Sequence, residues 1–179
     1  MSLNGIDISN WQAGIDLTAV PADFVIAKAT QGTGYVSPDC ARQVEQARAT
    51  GKRFGVYHYV SGGNAVAEAN HFVDSCANWV GKGLFCIDWE SQENSAWGDE
   101  GYLEQVVAQV KARTGIPPLI LLRSLRSPIV RTVVCGSRSM RIKSLPDIRT
   151  LRGMKALTLA SFASILPPVA FRAMAAIWI

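Results

Sequence analysis

Histidine is scarce in this sequence, and its cysteines are isolated from one another. The 179 residues include two histidines, His58 and His71, and four cysteines without a CxxC pair. No cysteine stands at a metal-ligand spacing from either histidine, which argues against a zinc site or a thiol redox centre. We therefore predict no metal, no cofactor and buried, unreactive thiols. The cysteines are Cys40, Cys76, Cys86 and Cys135.

No segment has the length and continuity of a membrane span. The longest stretch without a charge, residues 156–171, has 16 residues and contains Pro167-Pro168, which makes it too short and too interrupted to cross a bilayer. The first twelve residues, MSLNGIDISNWQ, lack a basic segment followed by an apolar one. They do not predict a secretory signal, so we expect a chain without a membrane span that is made in the cytoplasm.

Acidic and aromatic residues are unevenly distributed along the chain. Residues 1–118 carry 8 basic and 13 acidic side chains, a net charge of −5, whereas residues 119–179 carry 10 basic and 1 acidic side chain, a net charge of +9. Neither tyrosine nor glutamate occurs after residue 118. The overall charge of +4 describes neither part, so it does not identify a binding partner.

Short apolar runs alternate with segments of helical periodicity over the first 122 residues. Apolar runs bounded by Gly, Pro or Asn predict buried strands, and apolar residues at helical spacing predict helices. This alternation predicts an α/β fold with a parallel sheet, either doubly wound or closed as a barrel. No glycine-rich phosphate loop follows the first strand, which disfavours nucleotide binding. The predicted strands are 3–8, 24–29, 54–60, 83–88 and 118–122, and the predicted helices are 39–50, 65–78 and 98–114.

Acidic residues stand where predicted parallel strands end. Asp7 ends the first strand, and Asp88 and Glu90 end the fourth, with Trp89 between them pointing to the other face. Two carboxylates so close repel each other, which favours one protonated acid beside one ionised base, as glycosidic cleavage requires. A helix cap or a solvated loop would also explain the Asp-Trp-Glu triplet, and the three acids would suit Mg²⁺ as well.

Four ordered segments resemble glycoside hydrolase family 25, the N,O-diacetylmuramidases found as phage endolysins and bacterial autolysins. The resemblance runs from about residue 4 to residue 120 and is then lost. One departure is Gln31, where many relatives carry Glu. The matching segments are Gly5-Ile6-Asp7-Ile8-Ser9-Asn10-Trp11-Gln12, Ala27-Lys28-Ala29-Thr30-Gln31-Gly32, Gly55-Val56-Tyr57-His58-Tyr59 and Asp88-Trp89-Glu90.

The resemblance implies a TIM-like (β/α) barrel that hydrolyses the β-1,4 bond between N-acetylmuramic acid and N-acetylglucosamine in peptidoglycan. Glu90 would be the general acid. Asp88 would be its partner, either as a nucleophile or by orienting the substrate's acetamido group, and Asp7 would maintain the charge balance of the pair. His58 receives no role in proton transfer and is expected to pack or to form hydrogen bonds.

Aromatic residues near the strand ends suit a sugar substrate, because pyranose faces stack on rings. The candidates are Tyr57, Tyr59, Tyr35 and Trp11, together with Lys28 for an acidic or carbonyl group of the glycan. For each aromatic residue, packing in the protein core is an equally good interpretation, and it is strongest for Trp11. A lysine at a strand end is also often only solvated.

Residues 1–120 are thus interpreted as the N-terminal part of a muramidase barrel, and residues 121–179 as a basic tail of non-family sequence. In a reading frame that begins one base earlier, each codon combines the last base of one codon with the first two bases of the next. From Phe162 onward this frame permits the string RQYSSAGRLSGYGGNLD, which resembles the family's C-terminal segment. A single-base frame change near Leu121 would therefore explain the tail. Without the family's later strands we expect an incomplete barrel with two open sheet edges and weak or no activity.

The expected partner is bacterial cell-wall peptidoglycan, reached after phage-type lysis or outside the cell, by a monomer that binds no nucleic acid. Three alternatives stay open. The first is a glycan-binding module without turnover, and the second is a metal-dependent barrel hydrolase. The third is a protein whose arginine-rich tail binds an anionic wall, a membrane surface or nucleic acid.

Overall fold

The computed structural model describes residues 3–123 and three further strands, 131–135, 138–140 and 155–159. These residues form three helices and nine strands, and the five strands and three helices that were predicted occur in the predicted order. The helices are α1 (Cys40–Ala49), α2 (Ala65–Ser75) and α3 (Glu100–Thr114). The strands are β1 (Leu3–Ile8), β2 (Phe24–Gln31), β3 (Tyr35–Val36), β4 (Arg53–Tyr59), β5 (Leu84–Trp89), β6 (Leu119–Arg123), β7 (Arg131–Cys135), β8 (Arg138–Met140) and β9 (Lys155–Leu159).

The described strands form one sheet in the order β8-β7-β6-β5-β4-β2-β1-β9, with β3 paired to β2. Neighbours from β6 to β1 are parallel, as the alternation of strands and helices predicts. The parallel set curls into a half-barrel, so the α/β class is confirmed and a complete barrel is not shown.

The expectation of an incomplete barrel with two open edges agrees with the described sheet, whose edge strands are β8 and β9 because strands of the tail extend it beyond β1 and β6. β9 pairs antiparallel with β1, and β7 pairs antiparallel with β6. A strand that presents unpaired amide and carbonyl groups is a template on which another strand can pair. Here two segments of the basic tail, β9 and β7, pair with the outer sides of β1 and β6. Apart from β7, β8 and β9, the residues after 123 lie outside the described part of the chain.

Side chains on the parallel strands alternate between two apolar layers. The outer layer, facing the helices, includes Val25, Val44, Phe72, Ile87 and Trp89. The inner layer, on the concave face, is smaller and includes Phe24, Ile26, Tyr57, Cys86 and Leu121. Because both faces are covered, β5 is buried along its whole length, which explains why its sequence, LFCIDW, is almost continuously apolar.

All three helices are shorter than predicted; α1 lacks one residue at each end of the predicted range 39–50, and α2 and α3 differ for local reasons. α3 begins at Glu100 rather than at residue 98, because the Asp99 side chain accepts a hydrogen bond from the Tyr102 amide and caps the helix. α2 ends at Ser75, and residues 77–79 form a separate 3-10 turn. α3 ends at Thr114 as predicted, and Gly115, which follows it, has a φ of +76°, a left-handed conformation that favours glycine.

The thiols of the described side chains are buried. Cys40, Cys76 and Cys86 are free and are 3%, 1% and 0% exposed. Burial raises the pKa of the Cys40 thiol to about 12 and raises that of Cys76 further. A raised pKa favours the protonated form of Cys40 and Cys76 at neutral pH, and the predicted burial is confirmed for all three cysteines. The side chain of Cys135 lies outside the described ones.

Candidate active site

Asp7, Asp88 and Glu90 line one cleft of about 510 Å³ on the concave side of the sheet. Asp7 lies on β1 and Asp88 on β5, with β2 and β4 between these strands in the sheet order, so it is the curl of the sheet that directs both side chains into the same space. Glu90 directly follows β5. The three side chains are 5%, 1% and 3% exposed.

Trp89 points away from this cleft. It belongs to the outer apolar layer, where its ring lies 5.7 Å from that of Trp97 and 6.4 Å from that of Tyr102. The alternation expected for a strand therefore holds through the Asp-Trp-Glu triplet, and it places two acids on the cleft side of one buried strand end.

Tyr57 and Tyr59 also line the cleft, from β4. Tyr57 is buried, and the hydroxyl of Tyr59 donates a hydrogen bond to the carbonyl of Gln92. Tyr35 is not among the lining residues. Its ring lies beside the cleft, where the ammonium of Lys28 is 5.5 Å from the centre of Tyr35 and 4.9 Å from the centre of Tyr59. These distances allow cation–π attraction to both rings.

Trp11 is the most exposed of the predicted site residues, at 87%. It lies in a 3-10 turn, residues 10–12, that begins with a capping box between Ser9 and Gln12. The buried amide of Gln43 donates hydrogen bonds to the carbonyls of Ser9 and Gln12, at 2.8 and 3.4 Å, and so holds the turn against α1. The interpretation of Trp11 as a core residue is therefore wrong, because the ring is presented to solvent at the edge of the cleft.

Gln31 connects the two sides of the cleft opening. Its carbonyl oxygen accepts a hydrogen bond from Lys28 Nζ at 2.5 Å, and its amide nitrogen donates to Glu93 Oε2 at 2.8 Å. A glutamate at position 31 would have no hydrogen-bond donor for Glu93 and would repel its carboxylate. Glutamine, the residue in this chain, instead bridges the ammonium of Lys28 and the carboxylate of Glu93. Glu93 has a φ of +52°, a strained backbone conformation for a residue other than glycine.

The cleft includes residues that the sequence analysis did not single out. They come from the end of β1 and the turn that follows it, and from the loop after β5, and the signal that could have found them is their closeness in sequence to the acids of those strands. Which loop side chains point inward depends on loop conformation, which periodicity does not predict. These residues are Ile8, Ser9, Gln12, Gln92 and Glu93.

His58 lies on the helix side of β4 and is fully buried. Its Nδ1 is 2.8 Å from the hydroxyl of Thr30, and its Nε2 is 2.9 Å from Oε2 of Glu68, which is equally buried. Burial lowers the pKa of His58 and outweighs the opposing effect of Glu68. The prediction that His58 packs and forms hydrogen bonds is confirmed.

The described part of the chain lacks two kinds of arrangement. No group of three or more Asp, Glu, His or Cys side chains there is arranged to hold a metal ion. Over the same residues, none of the helices combines the length and the apolar content that crossing a bilayer requires.

The family model for glycosyl hydrolases family 25 matches residues 6–123. A curated relative, the N,O-diacetylmuramidase of a Chalaropsis species, is 33% identical over 124 residues, which are 62% of this chain and 58% of the relative. The chain thus spans less than two thirds of that relative's length.

Solved structures of similar proteins agree with the described fold. The muramidase from Acremonium alcalophilum has a TM-score of 0.58 and 27% identity, over 66% of this chain and 64% of the other. The family 25 lysozyme from Aspergillus fumigatus has a TM-score of 0.61 and 24% identity, over 67% and 65% of the two chains, and supports the fold alone.

Proposed function

Because the chain belongs to the glycosyl hydrolases of family 25, we propose that it is a muramidase, with peptidoglycan as its substrate. The bond cleaved is the β-1,4 bond between N-acetylmuramic acid and N-acetylglucosamine. The muramidases and lysozymes among its relatives support this substrate class. The observation that carries the proposal is the convergence of Asp7, Asp88 and Glu90 in one cleft.

Glu90 is the general acid of the proposed reaction. It follows the buried end of β5 and lines the cleft, so a glycosidic oxygen held there is within reach of its carboxyl group. Proton transfer to that oxygen lets the sugar depart as an alcohol while positive charge develops at the anomeric carbon.

Asp88 is the partner of Glu90. Its carboxyl group, 1% exposed, acts on the anomeric carbon either by direct attack or by orienting the acetamido group that attacks in its place. Asp7 adds a third acid from the opposite wall and keeps the charge balance of the pair. Tyr57, Tyr59, Tyr35, Lys28 and Trp11 hold the glycan, with Tyr35 acting from beside the cleft through its contact with Lys28.

The test is the release of muropeptides from purified peptidoglycan, with product analysis by mass spectrometry so that slow turnover is detected. The 179-residue chain should release fragments with N-acetylmuramic acid at the reducing end, and Glu90→Gln should lower the rate by about 10²-fold or more. The exposed Glu45→Gln is the matched control, because its side chain is 62% exposed on α1. Equal rates for the chain and for Glu90→Gln would refute the assignment.

A glycan-binding module without turnover is the second candidate, and the exposed ring of Trp11 favours it. Binding of soluble glycan strands by the intact chain, with no fragments released over days, would select this function over hydrolysis. Activity that survives EDTA would argue against the metal-dependent hydrolase.

We also propose that a frame change near Leu121 produced the tail, residues 121–179, and lowers the activity of this chain. The family match ends at residue 123, close to the change in charge composition. The nucleotide sequence decides this: in the shifted frame the codons for residues 161–179 should encode the permitted string that ends in Gly-Gly-Asn-Leu-Asp. Any other reading of those codons rejects the frame change.

A further inference from the structure

Glu68, on α2, is a fully buried carboxylate on the side of the sheet opposite the cleft. Three groups from different parts of the chain bond to it. Oε2 lies 2.9 Å from His58 Nε2 and accepts from the Ser61 amide at 3.1 Å, while Oε1 accepts from the Tyr102 hydroxyl at 2.9 Å. Thr30, on the other nitrogen of His58, extends the cluster to β2.

Stability alone is a poor explanation for this cluster. Removing a carboxylate from water costs several kcal/mol, and an apolar side chain of similar volume often serves as well or better. Buried polar groups that are fully bonded instead fix one arrangement of the elements they join. The question is therefore which arrangement Glu68 fixes.

The Ser61 amide leads from Glu68 to the loop that follows Glu90. The carbonyl of Ser61 accepts hydrogen bonds from the amide of Ser95, at 2.9 Å, and from its hydroxyl, at 3.2 Å. The two loops are in close contact, since a Cβ added at Gly62 would lie 2.1 Å from Ser95 Oγ. Any displacement of Ser61 is thus transmitted to Ser95.

The residue before Ser95 bonds directly to the main chain of Glu90. Asn94 is 7% exposed; its amide nitrogen donates to the Glu90 carbonyl at 3.0 Å, and its Oδ1 accepts from the Ala96 amide at 3.0 Å. The direction of the Glu90 side chain follows from the orientation of its own peptide groups. A path of hydrogen bonds, with the peptide bond between Ser95 and Asn94 as one link, therefore runs from the Glu68 carboxylate to the main chain of the residue assigned as the acid.

We propose that Glu68 is a positioning residue that orients Glu90 through Ser61, Ser95 and Asn94. The proposal rests on the proposed function, because it takes Glu90 as the acid of the muramidase reaction. Glu68 does not touch the cleft and acts only by holding the loop after β5 in the conformation that aims Glu90 at the substrate.

The experiment compares Glu68→Leu with Glu68→Gln in the full chain. Glutamine keeps an acceptor for the Ser61 amide and a polar group for Tyr102, whereas leucine keeps neither. Glu45→Leu on α1 is the matched control, because it removes an exposed carboxylate from a helix of the same sheet layer. The measurement is hydrogen exchange of individual amides.

In Glu68→Leu we expect exchange at Ser61 and at residues 91–96 to accelerate at least tenfold, with α1 and β1 within twofold of the unsubstituted chain. Glu68→Gln and Glu45→Leu should stay within threefold everywhere. Unchanged exchange at residues 91–96, or acceleration that spreads equally to α1 and β1, would overturn the positioning role, since the second result is what general destabilisation gives.

Kinetics supply a second readout that separates positioning from binding. Glu68→Leu should lower kcat at least tenfold with KM within twofold, and Glu68→Gln should restore most of kcat. Should Glu68→Leu not fold, Asn94→Asp takes its place, because it replaces the donor to the Glu90 carbonyl with an acceptor oxygen while keeping the acceptor for Ala96. A fall in kcat of less than twofold for the folded variant would contradict the proposal.

The exchange measurement needs no turnover, so the two proposals fail separately. A chain that releases no muropeptides would refute the proposed function, while loop exchange would still decide whether Glu68 holds the loop that carries Glu90.

Discussion

Replacing Trp11 with alanine should weaken glycan binding about tenfold without affecting the fold. The ring is 87% exposed, and the turn that carries it is held by hydrogen bonds between the side chains of Gln12 and Gln43 and the main chain of Ser9 rather than by the indole. Exposed substitutions away from such contacts change the free energy of unfolding by no more than about 0.5 kcal/mol.

The size of the binding effect follows from the area that one ring face can bury. A sugar stacked on one side covers roughly a third of the 150–250 Å² of an aromatic side chain, about 60 Å². At about 25 cal/mol per Å² this area contributes about 1.5 kcal/mol, which corresponds to about a tenfold change in Kd.

The assay is calorimetric titration with soluble glycan strands of peptidoglycan, in the Glu90→Gln background so that the ligand is not consumed. Trp97→Ala is the matched control. That ring is 44% exposed, lies 5.7 Å from Trp89 and does not line the cleft, so its loss should lower Tm and leave Kd unchanged. A Kd for Trp11→Ala within twofold of the parent, or a fall in Tm as large as that of Trp97→Ala, would refute the reasoning.

Two further predictions concern buried titratable groups. Burial lowers the pKa of His58 in the folded chain, so the unfolded chain binds its proton first, and the free energy of unfolding should decrease as pH falls below about 6.5. In urea unfolding measured from pH 8 to pH 5, the free energy of unfolding should fall less steeply with decreasing pH in His58→Gln than in the unsubstituted chain. An equally steep fall in both would contradict this prediction. Because burial raises the pKa of both Cys40 and Cys76, iodoacetamide at pH 8 should modify neither thiol in the native chain and both in urea. Modification is mapped by mass spectrometry. Labelling of either thiol in the native chain would contradict the prediction, because it would show that the buried site opens to solvent.

Much of the secondary structure could be predicted because its signals are local. The run FVIAKA has the buried, β-branched composition of a parallel strand, and the structure extends it by only two residues, to Gln31. The stop at Gly115 is equally local, since a positive φ favours glycine. α2 is shorter than predicted because the chain turns at Cys76 into a separate 3-10 turn, although the apolar periodicity continues.

The candidate site was predictable to the extent that strand ends are predictable. Asp7, Asp88 and Glu90 could be placed at one edge of a parallel sheet from the alternation of strands and helices alone. The environment of Trp11 and Tyr35 could not be predicted, because each depends on how a short turn or hairpin packs on elements distant in sequence. The bridge from Lys28 through Gln31 to Glu93 likewise joins residues up to 65 positions apart.

The sequence by itself determined the alternation of buried strands and helices, the positions of the three acids and the change of composition in the last third of the chain. These properties follow from residue type and spacing. Only the tertiary structure decided that Trp11 faces solvent, that Gln31 bridges opposite charges and that Glu68 is tied to the main chain of Glu90. Each of these depends on the curl of the sheet and on long-range hydrogen bonds, which bring together groups that have no regular spacing in the sequence.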